Sequence, residues 1–250
     1  MIKIENVYKE FIKNVGKKSQ PFFAVNNISI EIGDGMVYGI LGQNGAGKTT
    51  LLRMISGIMT PTKGSVSIDN MSYKSDAEKI KNNIAFLSGY TKLYDNITPK
   101  ELLKIFGTIY GINKKDLTKR INEITKLLEM ESFLDNKIGN LSTGQVQRTN
   151  LARCFNHDPK YYILDEATTG LDVMSSQIII NFIKEEKQRG KTIIYSTHYM
   201  EEAENICDKI IFINSGKKVL ESTPENVKDK TKTSNLRDAY FAVIGGVYED

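Results

Sequence analysis

No stretch of the 250-residue chain approaches the roughly 20 apolar residues that cross a bilayer. The longest candidate, residues 239–247, is short and carries two glycines. The chain by itself is therefore not expected to form a membrane path. Residues 1–5 alternate polar and apolar like a strand and lack the apolar stretch of a secretory leader. Cysteine is scarce. Cys154 and Cys207 stand far apart with no metal-type spacing. A disulfide is not expected, and both read as buried thiols in a reducing compartment. A strong charge excess is also missing. Lys+Arg 34 against Asp+Glu 30 leaves +4, too mild for the concentrated basic face of a nucleic-acid binder. No nucleic-acid partner is expected. What is present is ordinary globular usage, 40% hydrophobic and 26% charged, enough for one large domain or two small ones with a real core.

Residues 2–35 read as short strands with turns, closed by the turn signal Gly33-Asp34-Gly35. The apolar run 36–41 reads as a buried parallel strand. A Gly-rich loop and a helix over 49–55 follow it. Residues 84–87 read as a short strand, after which the pattern turns helical. Thr98-Pro99-Lys100-Glu101 combines a capping box with Pro at the first helical position. Leu117, Ile121, Ile124 and Leu128 form one apolar helix face. Ser142 opens a third helix. Strands at 161–164, 192–197 and 209–213 then alternate with helices from Asp172 and Tyr199. Such alternation predicts a mostly parallel sheet with helices on its faces. The helix-rich stretch from about 90 to 156 reads as an inserted subdomain, and residues 223–250 as a helical tail.

The loop Gly42-Gln43-Asn44-Gly45-Ala46-Gly47-Lys48-Thr49 fits the phosphate-loop pattern G-x-x-x-x-G-K-[ST] at every fixed position. Phosphate oxygens need several converging backbone N–H donors, and glycines allow that concave turn. The helix behind the loop adds its N-terminal dipole. Lys48 reaches the β- and γ-phosphates, the Thr49 hydroxyl can ligate Mg²⁺, and Thr50 adjoins it. From average residue frequencies the pattern arises by accident in about 1% of chains this long. The strand before and the helix after lower that further. ATP and Mg²⁺ are the expected cofactors.

Residues 161–164 form an apolar strand ending in Asp165-Glu166. Neighbouring strand residues point to opposite sides. Asp165 is assigned to the metal and Glu166 to the base that activates water. A helix-capping acidic pair is the plain alternative. His198 follows another apolar β-type run, at a carboxyl strand end where such sheets gather ligands. It is read as a hydrogen-bond donor to the γ-phosphate, against the alternative of a helix-start histidine. His157 is assigned no role.

Leu141-Ser142-Thr143-Gly144-Gln145 opens a helix, with Ser142 and Gln145 at capping-box spacing. With this segment the order of motifs resembles the ABC ATPase family, over roughly residues 2–222. The family's signature LSGGQ reads here Leu-Ser-Thr-Gly-Gln. Its D-loop reads Ala167-Thr168-Thr169-Gly170-Leu171-Asp172. The resemblance implies a P-loop NTPase core with a mostly parallel sheet, an N-terminal antiparallel β subdomain and an inserted helical subdomain. It implies two subunits meeting head to tail, each ATP held between one P-loop and the other subunit's Ser142, Thr143, Gly144 and Gln145, with Asp172 in the nucleotide-binding set. Phe11 matches the aromatic that stacks on adenine, with Phe22 and Phe23 as nearby rivals.

The chain departs from the family at Thr143, where a glycine is usual, and at Gly89, where a glutamine usually contacts Mg²⁺ and water. No residue is carried over to that glutamine's role. Residues 84–103 and 236–241 are similar to the sodium-extrusion (NatA-type) branch, which pairs with a separate ABC-2 type permease. That implies an exporter ATPase, cytoplasmic and peripheral on the inner membrane face, with sodium as cargo. A soluble repair or translation ATPase and a weakly hydrolysing regulatory module stay open as alternatives.

Overall fold

The computed structural model describes residues 1–15, 18–89 and 91–245. The last five residues of the predicted tail lie outside this set, and so do Gly16, Lys17 and Tyr90 of the segments read above.

The chain opens with two long antiparallel strands, β1 (Ile2–Val15) and β2 (Lys18–Ile32). They pair from Ile2↔Ile32 to Val15↔Lys18, with register shifts between Ile4 and Glu10. This is a longer hairpin than the short strands predicted. Its outer half exposes apolar side chains, Ile12 (74%), Phe22 (45%) and Phe23 (45%), instead of burying one face, so no alternation marks it in the sequence. The central strand β3 (Val37–Leu41) leads through the P-loop to α1 (Lys48–Ile55). Strands β4 (Lys63–Ile68) and β5 (Met71–Ser72) complete a four-stranded antiparallel sheet, ordered β2-β1-β4-β5. Helix α2 (Ala77–Asn83) was not predicted. It buries only Ile80 and so carries no apolar stripe.

After β6 (Ile84–Leu87) come α3 (Pro99–Ile109), α4 (Lys114–Leu127) and α5 (Thr143–Phe155), the helical insertion. Thr98 caps α3 through the predicted reciprocal box with Glu101. Leu117, Ile121, Ile124 and Leu128 are all buried, as their spacing requires. Next come β7 (Tyr161–Asp165), α6 (Val173–Gln188), β8 (Thr192–Thr197), α7 (Met200–Ile206), β9 (Lys209–Asn214) and β10 (Lys217–Ser222). The six-stranded sheet runs β10-β9-β3-β8-β7-β6 and is parallel apart from β10. The tail forms α8 (Pro224–Thr231) and α9 (Leu236–Ile244), whose Val227, Leu236 and Tyr240 join the main core.

The parallel sheet is buried on both faces, and residue parity decides which core each side chain enters. Val37, Tyr162, Leu164, Ile193 and Phe212 face the core shared with the helical insertion and tail. Tyr38, Ile40, Tyr161, Ile163, Ile194 and Ile211 face the core shared with the antiparallel sheet and α1. Asp165 continues the parity of Tyr161 and Ile163, so its carboxylate emerges on the side of α1. Parity thus delivers this carboxylate to the P-loop helix.

Candidate functional site

The P-loop turns sharply because two of its glycines sit where no Cβ fits. At Gly47, φ is +107° and a Cβ would stand 2.2 Å from the Ala24 carbonyl oxygen. At Gly42 the Ile213 carbonyl would be 2.3 Å away. The β9–β10 turn braces the loop from outside, with Gly216 N–H donating to the Ala46 carbonyl at 2.9 Å. Gly47 caps α1 without any side-chain bond, so the first N–H groups of that helix face the cavity as anion donors.

Lys48 is 4% exposed and folds back over the loop. Its ammonium donates to the carbonyls of Gly42 (2.8 Å) and Gln43 (3.2 Å) and lies 3.4 Å from Glu166 Oε1. Asp165 is also 4% exposed, and accepts hydrogen bonds from Ser196 Oγ at 3.0 Å and from the Thr49 side chain. Burial raises its pKa above the usual carboxylate range, and the two hydroxyl bonds oppose that only in part. Glu166 has φ of +51°, in the left-handed region that a non-glycine rarely adopts. The turn is held by its N–H to Ser196 O (3.0 Å) and by Thr169 N–H to its own carbonyl (3.2 Å). This backbone strain aims the carboxylate into the cavity. There Oε1 lies 3.5 Å from His198 Nδ1, and Oε2 is reached by the Thr169 hydroxyl at 3.4 Å. The His198 ring packs 4.1 Å from Tyr199.

These groups line one cavity of about 1020 Å³. It joins Asn44, Gly45, Gly47, Lys48, Thr49 and Thr50 of the loop to Asp165, Glu166 and His198. Phe11, Phe22 and Phe23 all border its other end. Phe11 and Phe22 are cross-strand partners with ring centroids 5.9 Å apart. The predicted aromatic and one of its rivals therefore form a single stacked pair. Arg53, Thr169, Ser215 and Gly216 line the cavity as well and were missed in the sequence. Arg53 was findable, since it lies three and four residues beyond Thr50 and Thr49 on one face of α1. Ser215-Gly216 is a local turn signal, but only the folded sheet brings that turn to the cavity. Gly89 borders the cavity where the family glutamine would stand, and a Cβ would sit 3.2 Å from the Asp165 carbonyl.

The signature segment is elsewhere. Ser142 caps α5 through the predicted reciprocal box with Gln145, at 3.3 and 2.9 Å. None of Ser142, Thr143, Gly144 and Gln145 lines the cavity. Asp172 does not line it either. It caps α6, accepting from Ser175 N and Oγ at 2.8 Å each, and these bonds lower its pKa. Gly144 packs so closely on this cap that a Cβ would be 2.2 Å from Ser175 Oγ. Signature and D-loop thus form one unit, apart from the P-loop of the same chain.

A donor set of one carboxylate and one hydroxyl fits Mg²⁺, which takes hard oxygen ligands and usually keeps several waters beside substrate phosphates. Among the described residues no group of three or more His, Cys, Asp or Glu side chains offers a protein-only cage.

The model of the family described as "ABC transporter" matches residues 25–169. The chain is 39% identical over 222 residues to "ABC transporter ATP-binding protein NatA" of Bacillus subtilis, covering 88% of this chain and 90% of that protein. It is 32% identical over 229 residues to "Nod factor export ATP-binding protein I" of Cupriavidus metallidurans, covering 92% and 76%. Among solved structures, a dimeric ATP-binding cassette in a post-hydrolysis state bound to ADP and Pi superposes with a TM-score of 0.79. It shares 29% identity over 89% of this chain and 98% of that one. An ATP-binding subunit of an ABC transporter superposes at 0.83 over 97% and 99%, with 22% identity, which speaks to fold alone. A family match across residues 25–169, joined by kinship along nearly the whole length, assigns the chain to the ABC transporter family, as an ATP-binding subunit that hydrolyses ATP.

Proposed function

We propose that the chain powers an ABC-2 type permease from the cytoplasmic face of the membrane, as a head-to-tail dimer with two composite ATP sites. The observation that carries this reading is the separation of the two half-sites. The cavity is lined by the loop and the carboxylates, while Ser142 to Gln145 lie outside its lining. Closing the phosphate site then takes the signature helix of a second copy.

In this reading residues 42–50 bind the triphosphate, and Phe11 with Phe22 stacks on the base. Lys48 exchanges its bonds to the Gly42 and Gln43 carbonyls for phosphate oxygens. Thr49 and Asp165 would hold Mg²⁺, which would supply positive charge against the phosphates. Glu166 accepts the proton of the attacking water. His198, beside Glu166, donates to the γ-phosphate. Gly89 leaves water where a glutamine would reach in, which lowers the hydrolysis rate without weakening nucleotide binding. Asp172 holds the signature helix in register through Ser175, so it acts on the partner's nucleotide indirectly.

The permease docks on the helical insertion. Tyr94 (69% exposed), Ile105 (48%) and Ile109 (70%) border a surface cavity there, an apolar patch of the kind that marks protein contacts. Among the described residues no helix is long and apolar enough to cross a membrane, so the path lies in that partner. Export as the direction is supported by the relatives named for Nod factor export. Sodium as cargo rests on the resemblance over residues 84–103 and 236–241. Flux assays on vesicles carrying this chain with its permease test it, and ATP-driven flux without sodium movement removes it.

The central test is Glu166→Gln. The amide keeps the shape but cannot take the proton. ATP binding should persist, turnover should fall at least about 10²-fold, and a dimer should accumulate with ATP. Full ATPase activity in this variant would remove Glu166 as the base.

A further inference from the structure

Beside the P-loop, next to the nucleotide cavity, lies a second cavity of about 440 Å³. Its far wall is the C-terminal helix α9, through Arg237, Tyr240 and Phe241. Its near wall is Gln43 and Asn44 of the loop and the segment from His198 to Glu201. Asn44 and His198 border both cavities, so the tail shares a wall with the nucleotide site. Tyr240 is 3% exposed, and its hydroxyl lies against the Gln43 backbone without a full hydrogen bond. Phe241 (55% exposed) and Tyr199 (38%) stand in its lining beside the exposed charges of Arg237 and Glu201.

A second feature adjoins the Tyr199 and Glu201 wall of this cavity. Val173 and Met174, the first two residues of α6, are 83% and 74% exposed. They stand just past Asp172, which caps the signature unit. Val173 lines a groove bordered by the same Tyr199 and Glu201 that border the cavity. One copy therefore carries an exposed apolar knob and a mixed polar and aromatic socket, both bordered by Tyr199 and Glu201. A two-fold axis through such a patch exchanges the two, so that each copy's knob meets the other's socket.

We propose that α9 is part of the contact between two copies of this chain, and that Val173 and Met174 of one copy seat in the cavity between α9 and the P-loop of the other. This rests on the head-to-tail dimer reading and extends that interface onto the tail. The exposed carboxylate Asp172 immediately precedes the knob; of the charged groups lining the socket, Arg237 suits that carboxylate and Glu201 opposes it. The socket also shares Asn44 and His198 with the site that ATP fills. Seating of the knob therefore follows nucleotide binding, and the tail reads the state of the P-loop.

The test uses the full chain carrying Glu166→Gln, which holds ATP. One preparation carries Met174→Cys and a second, separately tagged, carries Phe241→Cys. The chain's own thiols are quiet in this assay, because Cys154 and Cys207 are each 8% exposed. Mixing the two with ATP and a mild oxidant should give a disulfide-linked heterodimer carrying both tags. Without nucleotide it should not form. In parallel, Met174→Glu and Phe241→Glu should each weaken ATP-dependent dimerisation at least tenfold by sedimentation, with nucleotide binding to the monomer unchanged. Both positions are on the surface, so these variants fold. If the Glu166→Gln parent stays monomeric with ATP, the dimer reading fails and this inference with it. If the parent dimerises, but the Glu variants dimerise as strongly and no mixed disulfide forms, the inference alone is overturned.

Discussion

Replacing Gly47 by alanine separates backbone strain from steric closure in the phosphate loop. At φ of +107° an L-residue lies outside its allowed wells, and the conformational cost is about 1–2 kcal/mol. The added methyl would also meet the Ala24 carbonyl at 2.2 Å. Relieving that overlap moves either β2 or the loop, a repacking cost of about 1–3 kcal/mol. The two contributions sum to about 2–5 kcal/mol. If all of this appears in binding, nucleotide affinity falls from roughly 30-fold to several thousand-fold. Whatever does not appear there must appear as lost stability of the free chain. Gly45→Ala is the internal control, because its φ is +82° but no heavy atom lies within 4 Å of the new Cβ. It carries only the conformational part. Fluorescence titration with a nucleotide analogue and thermal melts without nucleotide measure the two shares. A Gly47→Ala chain that binds and melts like the parent would refute the reasoning. So would a Gly45→Ala chain as impaired as Gly47→Ala, which would leave the Ala24 contact without effect.

Ser142→Arg should abolish ATP-dependent dimerisation while leaving monomer binding intact, because Ser142 is outside the cavity of its own chain; equal dimerisation in sedimentation refutes the composite site. His157 stacks on Tyr110 at 3.8 Å, and burial depresses its pKa from 6.5 to about 4. The unfolded chain therefore takes up a proton below pH 6.5 that the folded chain refuses. Stability should drop by up to about 3 kcal/mol between pH 6.5 and 4, and His157→Phe should flatten that part of the melting profile. Glu186 is fully buried between Tyr162 Oη (2.6 Å) and Arg189 Nη1 (2.6 Å). Glu186→Ala should cost about 3 kcal/mol by denaturant titration, since it leaves a buried hydroxyl and one end of a cation unpaired. A loss under 1 kcal/mol would mean that water replaces the carboxylate.

The sequence alone determined whatever depends on local chemistry. A glycine that must turn, a lysine at a helix start, and carboxylates at the end of an apolar strand are legible because the short-range demand is strict. The capping boxes at Thr98 and Ser142 were legible for the same reason, each closing within four residues. The long outer hairpin and α2 were not, because neither buries a continuous apolar face. Only the tertiary structure decided which distant pieces meet. It put Arg53, Thr169 and the Ser215 turn around the phosphate cavity, and paired Phe11 with Phe22 across two strands. It turned Glu166 through a left-handed backbone toward Lys48 and His198. It also kept the signature helix away from its own P-loop. Such placements come from sheet parity, strand order and packing over more than a hundred residues, and no window of local sequence encodes them.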